Sequence, residues 1–303
     1  MIILFYIILA TMEAMMLYFL LICSILAAAI FSTMNSVFSN KAIKSNRDFY
    51  LYNLIVSAAA TILFLVLSKG LKGISVYSLL LGILFAAVMV LMQFSTTKSF
   101  RHGPMSYTTM VNSCGMIIPA LAGVFFWSEK FSLFQLIGMI IVVISFVVGA
   151  NFKKHSNITL QWMKYVSLLF LSAGAVGIVQ KIHQSSVHKA EKFSFLCVTF
   201  FLMCIFSLIM YLVSGKSATD LKISFKSVSF CAAIGLLTAF NHAANLYLSG
   251  KLDSMFFFPV FNGSLTVVCF VISMILLKEK LNLTQKLSFV FGIVGVVFLS
   301  LGG

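Results

Sequence analysis

The chain has 303 residues, 61% of them hydrophobic and only 9% charged, with a mean hydropathy of +1.09 and a formal charge of +14. Soluble domains carry about 25% charged residues, so this composition excludes an ordinary soluble protein and indicates a polytopic membrane protein. The positive charge is not a nucleic-acid footprint, because the 21 lysines and arginines fall in or beside short connectors, where the anionic headgroup layer is the natural partner.

The first apolar run, Ile2 to about Ile30, exceeds the ~20 residues of one span and falls short of two. Glu13 interrupts it. No basic stretch precedes it, which argues against a secretory signal peptide. Residues 1–15 read as an N-terminal extension, with the first segment starting near Met16. Further segments are expected at about 49–68, 75–97, 104–127 and 132–150. Lys153-Lys154-His155 then divides the chain. Five more are expected at about 161–181, 193–213, 226–249, 254–277 and 283–301. The sixth holds a run of small residues, Ser172-Ala173-Gly174-Ala175 and Gly177, which lets helices approach closely in lipid. Pro119 and Pro259 lie inside the fourth and ninth segments and free backbone carbonyls there.

The two halves echo each other. Glu129, Lys130, Leu133 and Gln135 match Glu279, Lys280, Leu283 and Gln285 at one offset of 150 residues, the difference between 129 and 279. The same offset pairs Ser99 with Ser249, Met105 with Met255 and Asn112 with Asn262. Ser132 followed by Gln135 is a capping box, and Asn282 with Gln285 is its weaker asparagine version. Each joint therefore ends one helix and opens the next. Glu129 and Glu279 read either as turns at the membrane surface or as participants in transport.

These joints resemble those of the drug/metabolite transporter superfamily, of the ten-helix EamA-like type. There an acidic joint is followed by a small or polar residue, then Gln, then Gly. Glu129, Ser132, Gln135 and Gly138 fit that pattern; Asn282 and Ser288 depart from it in the second copy. The resemblance implies an all-α polytopic membrane protein of ten transmembrane helices. They form two inverted five-helix repeats, residues 16–152 and 153–303, with a substrate site near the midplane. It also implies a carrier in the cell membrane that moves a small organic metabolite or drug-like solute by alternating access. A non-transporting scaffold or scramblase-like protein is the alternative, followed by a membrane-embedded lipid-modifying enzyme, which would need an interfacial cluster of acids, His or Ser. The resemblance puts both termini in the cytoplasm. Fourteen of the 21 basic residues then lie outside, and the positive-inside rule favours the opposite orientation.

Asp48, Glu129, Glu191, Asp220, Asp253 and Glu279 all fall in expected connectors, leaving no carboxylate at mid-membrane. That argues against a carboxylate-based proton antiporter and against hydrolytic chemistry that needs paired acids. The polar groups left inside are Gln93, Tyr107, Asn112, Asn241, His242, Asn245 and Asn262. They are expected to line one cavity walled by Phe and Tyr; taken singly, each also reads as an interhelical hydrogen-bond partner. Asn245→Leu is accordingly expected to remove a substrate hydrogen bond. His242 is the candidate proton carrier. An amide-rich interior suits a neutral or zwitterionic solute such as an amino acid, a nucleoside-like compound or an amine. The six cysteines sit in apolar runs without a C-x-x-C, as buried hydrophobes, and neither metal nor cofactor is expected. The chain reads as a monomer or homodimer.

Overall fold

The structure is a computed structural model that describes residues 2–43, 45–71, 73–102, 105–149, 159–215, 225–276 and 283–302. The helices are α1 (Ile2–Ala42), α2 (Asn46–Leu67), α3 (Val76–His102), α4 (Met105–Cys114), α5 (Ile117–Trp127) and α6 (Leu133–Gly149) in the first half. The second half holds α7 (Leu160–Ser185), α8 (Lys192–Val213), α9 (Phe225–Ser249), α10 (Ser254–Leu276) and α11 (Leu283–Leu301). Eight stretches are long and apolar enough to span a bilayer, counting α4 and α5 as one, and the shorter apolar helices Leu133–Val148 and Ser254–Cys269 bring the number to ten. Large apolar side chains such as Ile62, Phe125, Phe126, Leu212 and Val213 stay exposed on the outer surface, as lipid contact requires.

Two expectations need correcting. The first segment does not begin near Met16: α1 runs unbroken from Ile2 to Ala42. No Gly or Pro lies between those residues to stop it. Its 41 residues span about 60 Å, twice the hydrocarbon thickness. Glu13 does not interrupt it, because the carboxylate pairs with Lys251 Nζ at 2.8 Å in the loop before α10 and holds that ammonium above its ordinary pKa. The fourth segment is not one helix either. It breaks between Cys114 and Ile117. Pro119 has no N–H to return to the Gly115 carbonyl, and its ring crowds that position. The Ile118 N–H takes the Gly115 carbonyl instead, at 3.1 Å. Pro119 then sits in the first turn of α5, where a missing N–H costs little.

The packing is that of two inverted units exchanging equivalent contacts. α2 lies along α8, and α6 along α11; α3 packs on α7 as α1 packs on α9. The two largest interior clusters join α1, α5, α6, α10, α11 and the end of α9, and α2, α3, α7, α8 and α9. The α6–α11 contact shows the two-fold residue by residue. Gly138 lies so close to α11 that an added Cβ would sit 2.7 Å from the Leu299 nitrogen and 2.9 Å from the Gly295 carbonyl oxygen. The offset of 150 carries Gly138 onto Ser288 and Gly295 onto Ser145. Ser145 Oγ indeed donates to the Ser288 carbonyl at 2.7 Å. Ser288, a departure from the joint pattern, thus meets a serine where Gly138 meets a glycine.

With ten spans, the start of α1, the end of α11 and the helix ends that meet between α2 and α3, α5 and α6, α7 and α8, and α9 and α10 share one face, the terminal face. The opposite helix ends share the other, the loop face.

Candidate functional site

A cavity of about 290 Å³ lies between α2 and α3 of the first repeat and α8 of the second. Its polar lining is Asn46, Gln93, Thr97, Lys98 and Ser214; its apolar lining is Phe49, Tyr50, Phe94, Phe206 and Met210. Asn46 starts α2, Lys98 is near the end of α3 and Ser214 follows α8, so the cavity belongs to the loop-face half. Local sequence fixes the start of α2. Ser45 Oγ accepts the Asp48 N–H at 3.1 Å and the Asp48 carboxylate accepts the Ser45 N–H at 2.9 Å, a full capping box. Gln93 and Thr97 are one turn apart on α3 and so share a face. Gln93 Nε2 donates to Asn53 Oδ1 at 2.9 Å, and Thr97 Oγ1 donates to the Gln93 carbonyl at 2.9 Å.

The same helices are filled with rings in their other half. Phe85 stacks on Phe195, Phe195 on His183, and Phe64 lies against Phe193 and Phe200. Phe64, Phe85, Phe195 and Phe200 are fully buried. This cluster stands between the cavity and the terminal face.

The terminal face is closed further by the first joint. α5 ends with Ser128 in the left-handed conformation (φ 53°), and the Glu129 N–H returns to the Gly123 carbonyl at 3.2 Å, so a left-handed residue closes the helix. α6 opens on its capping box: the Gln135 N–H donates to Ser132 Oγ at 3.2 Å and the Ser132 N–H to Gln135 Oε1 at 2.9 Å. Between the two, the Glu129 side chain turns inward. Its Oε2 accepts the Ser254 N–H at 2.6 Å, and its Oε1 accepts Ser254 Oγ at 3.1 Å and meets Lys181 Nζ at 2.6 Å. Lys181 Nζ also donates to the Leu252 carbonyl at 3.2 Å. A carboxylate from the first repeat thus sits on the start of α10, tied to a lysine of α7. A side chain at Gly123 would collide with Glu129 and Ser254. Nearby, Glu191 Oε2 accepts the Ser75 N–H and hydroxyl, at 2.9 and 2.7 Å, tying the loop before α8 to the start of α3.

The residues expected to converge lie in several places. Gln93 lines the cavity. Asn241 and Asn245 turn towards α1. Asn241 Nδ2 donates to the Ser24 carbonyl at 3.0 Å, Ser24 Oγ donates to Asn245 Oδ1 at 2.9 Å, and Asn245 Nδ2 donates to Asn241 Oδ1 at 3.1 Å. His242 lies one position round α9, edge-on to Phe200 and Phe85 at 5.3 and 6.5 Å between centroids, its Nδ1 buried without a partner. Asn112 is in the last turn of α4 with its Oδ1 buried and unpartnered. Asn262 Nδ2 donates to the Phe258 carbonyl of its own helix at 2.9 Å. Gln285 lies in the first turn of α11. The Tyr107 side chain, Glu279 and Asn282 lie outside the described residues. Asn46, Lys98 and Ser214 were missed because they end segments; Lys98, one turn after Phe94 and beside Thr97, carried the readable signal.

These hydrogen bonds change what Asn245→Leu is expected to do. It removes the Ser24–Asn245 bond that fastens α9 to α1 and the Asn245–Asn241 bond within α9, each worth about 0.6 kcal/mol in a membrane interior. The melting temperature of the purified protein should fall by a few degrees, while affinity for a ligand in the cavity stays at the wild-type value. A weaker binding constant with unchanged melting would instead place Asn245 at the ligand.

Two inverted five-helix units, with a cavity between helices of both in the loop-face half, define a polytopic membrane protein built like a secondary transporter. The model of the EamA-like transporter family matches residues 19–149 and 160–301, and the chain belongs to that family, whose members are membrane transporters of small solutes. A crystal structure described only as that of a protein is similar to it, with a TM-score of 0.73 at 10% identity, covering 93% of this chain and 96% of the other. At that identity the likeness concerns the fold. No curated protein matches the chain.

Proposed function

We propose that the protein is a carrier of the cell membrane that moves a small organic solute by alternating access. One observation carries this reading: α2, α3 and α8 enclose a cavity in the loop-face half and a packed aromatic cluster in the other. A continuous pore would be open along both halves. A carrier closes one side while the other is accessible. The cavity is at the small end of the ~300–1,000 Å³ typical of ligand sites, which favours a metabolite over a large drug. α2 and α3 come from one repeat and α8 from the other, so a shift of one repeat against the other changes access to the same residues.

The test combines transport with accessibility. Proteoliposomes preloaded with amino acids, nucleosides or amines are expected to show counterflow of at least one labelled solute. A cysteine at Thr97, in a background lacking the six native cysteines, should react with an impermeant maleimide from the loop face and lose that reactivity when the transported solute traps the opposite state. Equal reactivity from both faces at once would indicate a channel, and the absence of any counterflow would refute the carrier.

A further inference from the structure

We infer that the cavity takes an organic acid, a small carboxylate on an aromatic or apolar body, with Lys98 as its counter-charge. The inference rests on the cavity being the solute site of the carrier proposed above. Lys98 lines the cavity and is half-buried, its Nζ 5.7 Å from the centroid of the Phe94 ring. Among the described residues it has no ion-pair partner, and no acid lines the cavity. Asp48, the one described acid at the loop-face end of a helix, accepts the Ser45 N–H at the start of α2. Glu13, Glu129, Glu191 and Asp253 belong to the terminal face. A cation held among apolar groups without a counter-ion is costly, and an incoming carboxylate relieves that cost through a charge-assisted hydrogen bond.

The rest of the lining suits the other end of such a molecule. Phe49, Phe94, Phe206 and Met210 offer ring faces and a thioether, which hold flat apolar groups well. Thr97 and Ser214 spend their hydroxyls on the carbonyls of Gln93 and Met210, so they do not compete for the ligand. Among the described residues a primary amine finds no carboxylate at this cavity, so the described lining favours an anionic group over a cationic one. This narrows the neutral or zwitterionic expectation to solutes whose anionic group is the recognised one. A lysine near a helix end also reaches lipid phosphate by snorkelling, and the experiment separates that role from ligand binding.

Indole-3-acetate, indole-3-acetamide and tryptamine share one ring system and differ in charge. Binding of each is measured by thermal unfolding and calorimetry on purified protein in nanodiscs of zwitterionic lipid, where no anionic lipid competes. Indole-3-acetate should bind on the order of tenfold more tightly than the other two. Lys98→Gln should level the three, and Lys98→Arg should keep the order. An unchanged order in Lys98→Gln, equal binding of all three probes to the wild type, or a preference for tryptamine overturns the inference. A Lys98→Gln protein that melts lower but retains the preference assigns Lys98 to lipid contact and also overturns it. Counterflow separates the two readings. Acids that bind through Lys98 but never cross would sink the carrier and leave the site. Solutes that cross without regard to charge would sink the site and leave the carrier.

Discussion

Replacing Lys181 with methionine is expected to destabilise the protein by about 3–5 kcal/mol, the usual cost of removing one partner from a buried ion pair. Both side chains of the Glu129–Lys181 pair are less than a tenth exposed. The carboxylate would retain only its two bonds from Ser254 and would lose its counter-charge in an environment that penalises charge. Methionine fills the lysine stem without restoring a cation, so the effect isolates the charge. The pair joins the loop after α5, the end of α7 and the start of α10. Its loss therefore loosens the closed terminal face as well as the fold. A cysteine at Thr97 should become reactive from that face in the Lys181→Met protein. Adding Glu129→Gln should recover most of the stability, because replacing both members of a buried pair is often near neutral. The coupling is read from a double-mutant cycle of melting temperatures. A double variant no more stable than Lys181→Met alone would show that the ion pair is not what Lys181 contributes.

What was legible in the sequence was what is local or repeated. The capping box of Ser132 and Gln135 lies within four residues, and the copy of its joint at a fixed offset, Glu279 to Gln285, announced two units. The second segment to the last were placed to within a few residues, because their apolar lengths are set by the bilayer. The partners of Glu129 were not legible. Ser254 is 125 residues away, and nothing near Glu129 shows which helix start its carboxylate reaches. The small-residue run Ser172–Gly177 announced a close approach but not to what. It receives the broken fourth segment: an added Cβ at Gly115 would meet Ala173, one at Gly174 would meet Ile118, and one at Gly177 would meet Pro119 and Phe258. The interior amides were picked out by type, yet their facing depends on helix rotation. A span that is apolar nearly all round scarcely encodes which side turns inward. Ser24, an inconspicuous serine in an apolar run, decides where Asn241 and Asn245 point.

Gly138→Leu should prevent the two repeats from closing on each other. The added side chain would run into backbone on α11, at the Leu299 nitrogen and the Gly295 carbonyl. Backbone cannot yield as a flexible side chain does. Over-packing of this kind costs ~1–3 kcal/mol where neighbours can shift and more where they cannot, so a loss of about 3 kcal/mol or greater is expected. In a membrane no hydrophobic force holds α6 to α11; close contact and hydrogen bonds supply the attraction, and both depend on the short interhelical distance. Ser288→Gly is the matched control at the exchanged position. It leaves the Ser288 carbonyl that Ser145 Oγ uses, removes the small CH2OH group whose Oγ lies 3.3 Å from Ser145 Oγ, and should cost about 1 kcal/mol, mostly the helix penalty of glycine. Thermal unfolding followed by size-exclusion chromatography in detergent reads both variants. Gly138→Leu should elute as aggregate or melt far lower, and Ser288→Gly should elute as the wild type and melt close to it. If Gly138→Leu elutes and melts normally, α6 and α11 do not approach as closely as the exchange of Gly138–Gly295 for Ser288–Ser145 requires.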